Sequence, residues 1–174
     1  MKINRIILGV ALVMSAWVAN AQSQFDKFED IEGVTSVIVN QKAFSLMSKI
    51  GSESDDEYLN LIKNIQSLKV FATESAEVAV QMEAAVKTYL KTANLEELMR
   101  VKDGDSNVTI YVKEGKSEDF VKELFMFVKD SENSSKESVI ISLTGDIDLN
   151  QIAKLTDKMD LPGGEHLEKA SKKQ

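Results

Sequence analysis

The chain has 174 residues, a formal net charge of −7 and 43% hydrophobic residues, which is typical of a folded domain and too apolar for a disordered chain. It contains no cysteine and one histidine, His166. This composition excludes disulfide scaffolds, zinc fingers, iron–sulfur clusters, cysteine nucleophiles and multi-histidine metal sites. The negative charge also argues against nucleic acid and anionic lipid surfaces as partners.

The first 21 residues have the pattern of a secretory signal peptide. Two basic residues precede an apolar stretch over residues 6–18, and Ala19-Asn20-Ala21 supplies the small side chains that signal peptidase requires. The stretch is shorter than the roughly 20 apolar residues that span a bilayer. We expect cleavage between Ala21 and Gln22. Because no cysteine stands at the cut, we expect a periplasmic or secreted protein that is not a lipoprotein and is not inserted in the membrane.

One α+β domain is expected over residues 22–160, followed by a polar, flexible tail over 161–174. The domain begins with a short helix that docks through an aromatic face, followed by a buried strand of β-branched residues, VTSVIVN. Asn40 can cap a helix over residues 41–50. Asp55 and Asp56 open a second helix, because acidic residues suit a helix N-terminus. The aromatic face of the first helix consists of Phe25, Phe28 and Ile31.

The middle of the domain predicts a strand over residues 68–73 and a helix over 75–90. The turn signal Asp103-Gly104-Asp105-Ser106 then predicts a hairpin between strands 97–102 and 107–113. The spacing of Leu95, Leu98 and Met99 leaves open the alternative that residues 97–102 extend the helix. The apolar positions of the helix are Val78, Met82, Ala85, Val86 and Tyr89, and those of the hairpin are Val108, Ile110 and Val112.

The last part of the domain predicts a helix over residues 117–129, a strand ending at Gly145 and a helix from Asp148 to Met159. From residue 68 to 145 the order is therefore β-α-β-β-α-β, as in ferredoxin-like folds. Because each helix carries one apolar stripe, the predicted fold class is α+β, a two-layer sandwich with the helices on one face of an antiparallel sheet. An N-terminal strand/helix extension and the C-terminal helix are additions to this core.

No group of residues in the sequence predicts catalysis. His166 lies in the predicted tail and is expected to be solvated, and there is no glycine-rich phosphate loop or nucleophile elbow. The pairs Asp55-Asp56 and Glu96-Glu97 are expected to be solvated charges. We therefore expect no catalytic residues and no cofactor. The alternative is a hydrolase of envelope glycans that uses carboxylates alone and needs two of them facing one cleft.

A calcium loop is the sharpest metal hypothesis. Asp103, Asp105, Asn107 and Glu114 match the first, third, fifth and twelfth positions of an EF-hand loop. The sixth position, which requires glycine for the sharp turn, is Val108. We expect a plain hairpin turn without metal and keep a calcium-stabilised module as an alternative.

Phe127 is the candidate interaction residue. On the predicted helix over residues 117–129, Met126 and Phe127 fall outside the main apolar stripe. This would leave Phe127 exposed to a partner, whereas packing against a neighbouring element is the alternative.

Three segments together resemble a known family. They are FDKFEDIEGVTSVIVNQKAF, ELMRVKDGDSNVTIYVKEG and SVIISLTGDIDLNQIAKL. The chain resembles, from about residue 25 to 159, an uncharacterised bacterial envelope family catalogued as domain of unknown function 4252. The resemblance implies a single exported domain with a role in the cell envelope, and it implies no activity or catalytic residues. We expect a non-enzymatic protein that binds another envelope protein or a small ligand.

Overall fold

The structure is a computed structural model that describes residues 24–50, 56–104, 106–117, 119–130, 137–149 and 151. The predicted signal peptide and its cleavage site at Ala21 and Gln22 lie outside these residues. Most of the predicted C-terminal helix to Met159 and the whole tail with His166 also lie outside them. Asp148, its predicted cap, is described as the last residue of a strand.

Six antiparallel strands form one sheet in the described part of the chain. Their order across the sheet is β1-β2-β6-β5-β4-β3, so β1 and β3 are its two edges. The last four strands pair in chain order, and β6 then pairs with β2. The strands are β1 (Val34–Asn40), β2 (Ile65–Thr73), β3 (Glu96–Asp103), β4 (Ser106–Ser117), β5 (Phe120–Asp130) and β6 (Ser138–Asp148).

The described helices are a 3-10 turn (Asp26–Phe28), α1 (Gln41–Ile50), α2 (Asp56–Lys63) and α3 (Ala76–Leu90). The predicted cap of α1 is confirmed, because the Ala43 amide donates to Asn40 Oδ1 at 3.1 Å. The side chain of Ser75 caps α3 in the same way, accepting from the Val78 amide. The predicted first helix is only a single 3-10 turn, although Phe25 and Phe28 are buried as expected.

Helices cover both faces of the sheet, so the two-layer prediction is wrong. Strand side chains alternate between faces. On β2, Leu68 and Val70 pack in one core with Phe44 of α1 and Ile62 of α2. Phe71, the residue after Val70, packs in a second core with α3 and the 3-10 turn. We call these faces the α1/α2 face and the α3 face. The described part of the chain therefore has three layers.

The predicted helix over residues 117–129 is also wrong. This segment is the end of β4 and most of β5, which pairs with β4 and β6 along its length. Leu124 and Met126 pack on the α1/α2 face, and Phe125 packs on the α3 face. The order from β2 to β6 is thus β-α-β-β-β-β. The α+β class with an antiparallel sheet is confirmed, and the ferredoxin-like layout is not.

The predicted hairpin is confirmed. Strand β3 pairs with β4 through a turn at which Asp103 lies opposite Ser106, so residues 97–102 do not extend the preceding helix. The inner positions Val108, Ile110 and Val112 are buried. The predicted stripe of α3 is buried at all five positions. None of the helices in the described residues is long and apolar enough to cross a membrane.

Candidate binding surface

The predicted strand VTSVIVN exists, but the expectation that it is buried is wrong. It is β1, at the edge of the sheet, and pairs with β2 alone among the described strands. Thr35, Ser36, Ile38 and Asn40 are exposed. An edge strand directs alternate amide and carbonyl groups away from the sheet, where they are free to pair with another chain. The seven residues of β1 carry no formal charge.

Exposed apolar side chains lie on and beside this strand. Ile38 is 41% exposed on β1. Leu46 and Met47 are 50% and 37% exposed on α1, which packs against β1 and β2. Large apolar side chains that stay in water beside an open strand are typical of an interaction site. We call this region, formed by Val34–Asn40 with Leu46 and Met47, the β1 edge surface.

The opposite edge of the sheet has the features that prevent strand pairing. Five of the eight residues of β3 are charged, in the sequence EELMRVKD. Its register against β4 shifts between Glu97 and Met99, and Arg100 Nη2 donates to Glu97 Oε2 at 2.6 Å. Charges and bulges of this kind make an edge a poor template for another strand. The two edges of the sheet are therefore unequal.

A buried polar cluster lies on the α3 face. The Tyr89 hydroxyl donates to Glu123 Oε1 at 2.6 Å, and the Ser142 hydroxyl donates to the same oxygen at 3.2 Å. Glu123 is 5% exposed and Tyr89 is 2% exposed. Burial of Tyr89, followed by its hydrogen bond to Glu123, raises the pKa of this phenol well above its usual range. The cluster is closed to a substrate, so its geometry supports a role in stability.

Two surface cavities of about 390 Å³ each hold a pair of glutamates. One lies at the start of α3, with Glu74 and Glu137 in its lining. The other lies where β4 turns into β5, with Glu96 and Glu114 beside the apolar side chains of Val112, Val121 and Leu149. The alternative of a carboxylate hydrolase needs one carboxyl kept protonated by apolar surroundings. Glu74, Glu96 and Glu114 are exposed to solvent, which does not supply such surroundings.

The segment that the calcium alternative requires to be a loop forms a β-hairpin. Residues 106–114, most of the proposed loop, are extended in β4, so they cannot wrap an ion as an EF-hand loop does. Asp105 lies outside the described residues. Within the described part of the chain, no group of three or more acidic or histidine side chains is placed to hold a metal.

Phe127 does not lie on a helix. It is on β5, opposite Thr109 and Ile140, and is partly buried against the core on the α3 face. Its use as an interaction residue stays a prediction. Packing against the core, the alternative given above, accounts for an apolar residue at this position.

The β1 edge surface was missed because the sequence does not give the order of strands in a sheet. A run of β-branched residues indicates a strand, and both a central and an edge strand can have this composition. The one signal that bears on the difference is the polar content of VTSVIVN. Thr35, Ser36 and Asn40 are polar and exposed, which is unusual for a strand covered on both sides.

Within the residues that the structure describes, these features define an α+β protein with a sheet covered on both faces and one open, uncharged edge. The chain belongs to a family described as a domain of unknown function, DUF4252, whose model matches residues 28–155. The resemblance of the three quoted segments is thereby confirmed. Comparisons with curated proteins and with solved structures found no match.

Proposed function

We propose that this chain is an exported protein of the cell envelope that acts by binding another protein along the β1 edge surface, without covalent chemistry. The observation that carries the proposal is the inequality of the two sheet edges. One is charged and bulged, and the other is uncharged along its seven residues. Each edge strand exposes one large apolar side chain, Ile38 on β1 and Leu98 on β3, so the difference lies in charge and register.

Strand addition is the binding mode that fits this surface. A strand that pairs with β1 forms main-chain hydrogen bonds with it, and alternate side chains set the specificity. Ile38 would lie at the centre of such a contact on the α3 face, and α1 with Leu46 and Met47 would flank it on the other face. Neither the main-chain pairing with β1 nor the contact with α1 requires a deep pocket.

Export is supported by the basic, apolar and small-residue pattern of the first 21 residues. The test is expression of the full-length chain in a Gram-negative host, followed by fractionation and N-terminal analysis of the product. A mature chain that begins at Gln22 in the periplasm or the medium supports export. A chain that keeps Met1 in the cytoplasm contradicts it.

Site-specific photo-cross-linking tests the binding surface. A photoreactive residue replaces Ile38 on β1 in the tagged protein, expressed in its native host. The matched control has the same residue at Val80, which is 68% exposed on α3. We expect discrete protein adducts from position 38 and few or none from position 80. Equal labelling at both positions, or no adduct at position 38, would contradict the proposed function.

A further inference from the structure

We propose that residues 152–161, which lie outside the described part of the chain, form a helix that covers the α1/α2 face over β3, β4 and β5. This surface is distinct from the β1 edge surface, so the proposal does not depend on the proposed function. It assigns the apolar face of these three strands to a segment of the same chain, which leaves that face unavailable to a partner.

The α1/α2 face of β4 is covered by this chain itself. Val108 and Ile110 on β4 are each 1% exposed in the isolated chain. Apolar side chains on one face of a sheet stay in contact with water unless a second layer packs on them. An element of the same chain therefore lies over them.

Helix α1 does not reach this part of the face. It makes its main sheet contacts with β1 and β2, and within the described residues neither α1 nor α2 has a comparable contact with β3, β4 or β5. The strand order β2-β6-β5-β4 places β4 about 14 Å from β2, at three strand spacings. Because a helix with its side chains is only about 10–12 Å wide, a helix over β1 and β2 ends short of β4.

Helix α2 is too short to reach Val108. Its eight residues span about 12 Å, and it leads into β2 at Ile65, which lies opposite Gly145 of β6. Val139, six residues earlier on β6, is about 20 Å away along the strand. At that distant end Val139 pairs with Val128, whose other neighbour is Val108. This end of the face needs another layer.

The chain leaves β6 at the border of the same face. Leu149 packs against the core of the α1/α2 face, and its amide donates to the Asp119 carbonyl at 3.0 Å. The Gln151 amide then donates to the Asp148 carbonyl at 3.1 Å, and Gln151 Nε2 donates to Asp148 Oδ2 at 3.2 Å, so the chain turns here. Leu149 and Val112 line the same cavity, so the residues that follow begin beside β4.

The sequence after Leu149 has the pattern of a helix that lies on a sheet. Ile152, Leu155 and Met159 follow Leu149 at spacings of three and four residues, which place them on one side of a helix. Charged residues on the other side suit contact with solvent. These charged residues are Lys154, Asp157 and Lys158.

The length of the segment matches the face that needs a cover. The ten residues from Leu149 to Met159 span about 15 Å as a helix. The four residues from Val112 back to Val108 on β4 span about 14 Å. Val108 lies opposite Val101 of β3, and Val101 is partly buried against the same core. A helix that starts at Leu149 and runs along β4 therefore brings Met159 to the level of Val101.

Paired cysteines test this position, because the chain has no cysteine of its own. The purified, dilute Val101→Cys/Met159→Cys protein is treated with a short bismaleimide, and we expect an intramolecular cross-link in the monomer. The matched control is Arg100→Cys/Met159→Cys. Arg100 is the preceding residue on β3, is exposed and points to the opposite face of the sheet. Its yield should be lower by roughly tenfold, because the sheet separates the two thiols and reduces their effective concentration.

Thermal melts of two single variants test the apolar stripe. Ile152→Ser places a hydroxyl against the covered face and should lower Tm by about 5–10 °C. Lys154→Ser, two residues later on the solvent side of the proposed helix, is the control and should lower Tm by less than about 2 °C.

Several results would overturn the inference. Equal yields from positions 100 and 101, or no intramolecular product from either, would show that the segment does not lie on this face. A product that joins two copies would assign the face to the segment of a second chain. An Ile152→Ser protein as stable as wild type would also overturn it. Photo-cross-linking at Ile38 tests the proposed function separately, because β1 is at the other edge of the sheet.

Discussion

Removal of one hydroxyl tests whether the buried polar cluster stabilises the fold. Tyr89→Phe deletes the group that donates to Glu123 Oε1 at 2.6 Å. The ring contacts should persist, since the Tyr89 centroid lies 5.1 Å from that of Phe25 and 5.2 Å from that of Phe125. Glu123 keeps its longer hydrogen bond from Ser142. The substitution therefore isolates a single hydrogen bond to a buried carboxylate.

The expected loss follows from burial and charge. A hydrogen bond to a charged group contributes about 1.5–3 kcal/mol to the free energy of unfolding. Part of the loss on removing the donor is the desolvation penalty of the buried acceptor that it leaves. At this chain length, 1 kcal/mol corresponds to about 2–4 °C in Tm. We expect Tyr89→Phe to lower the free energy of unfolding by about 1.5–3 kcal/mol and Tm by about 3–12 °C.

The pKa of Tyr89 adds a dependence on pH. In the folded protein this pKa is raised above the usual value of 10.0 by burial and by the hydrogen bond to Glu123. The folded state therefore keeps the phenol proton at a pH where the unfolded chain loses it. The stability from the hydroxyl is complete below pH 10 and decreases as the pH rises further, by at most about 1.4 kcal/mol per pH unit. The difference between wild type and Tyr89→Phe should narrow above pH 10.

Urea unfolding at pH 8 and at pH 10.5 measures both effects. Tyr111→Phe is the matched control, because Tyr111 is only partly buried and its ring also contacts Phe125. That variant should change the free energy of unfolding by less than about 1 kcal/mol. A Tyr89→Phe protein as stable as wild type at pH 8, or a difference that does not narrow at pH 10.5, would refute the reasoning.

Three further predictions follow from the same structure. Gly145→Ala should lower the free energy of unfolding by about 2 kcal/mol or more. The reason is that Gly145 has a φ of +149° and that a Cβ there would lie 2.3 Å from the Asn64 carbonyl oxygen. As the control, Gly104→Asn, at a φ of +56° with open space around it, should lower the free energy of unfolding by less than about 1 kcal/mol in the same urea titration. Phe127→Ala should lower the free energy of unfolding by about 1.5–3 kcal/mol, because the ring is partly buried against the α3 face, and should leave adducts at position 38 unchanged. Millimolar calcium or a chelator should shift Tm by less than about 1 °C, since β4 is extended where a calcium loop would wrap the ion; a rise of several degrees with calcium would restore the metal hypothesis.

Helix α3 and the β3–β4 hairpin could be predicted because their signals are local. The stripe of α3 has a helical period, and Ser75 stands where an N-cap must be. The hairpin has a turn sequence between two alternating segments, and Val108, Ile110 and Val112 face the core as that alternation requires. Each signal comes from neighbours in the chain, and no tertiary contact overrides it.

Strand β5 could not be predicted from the same rules because it lies in the middle of a sheet covered on both faces. Its residues Leu124 and Met126 face one core and Phe125 faces the other. A strand buried on both sides is a continuous apolar run, and such a run also contains helical spacings. Phe127, which does not fit the helical stripe, is partly buried on the α3 face together with Phe125. An apolar residue outside the helical stripe therefore indicates, in this segment, a strand with a second core on its other face.

The unequal edges of the sheet support the proposal that β1 is a binding edge. Both edges of an open sheet expose unpaired main-chain groups and carry the same risk of uncontrolled association. Strand β3 opposes such association with five charged residues in eight and a bulge, whereas β1 has no charge in seven residues. Folding alone does not require this difference, because β1 needs only its inner side to pair with β2. We therefore expect charge placed on β1, as in Ser36→Lys at an exposed position, to leave the fold intact and to remove the protein adducts at position 38.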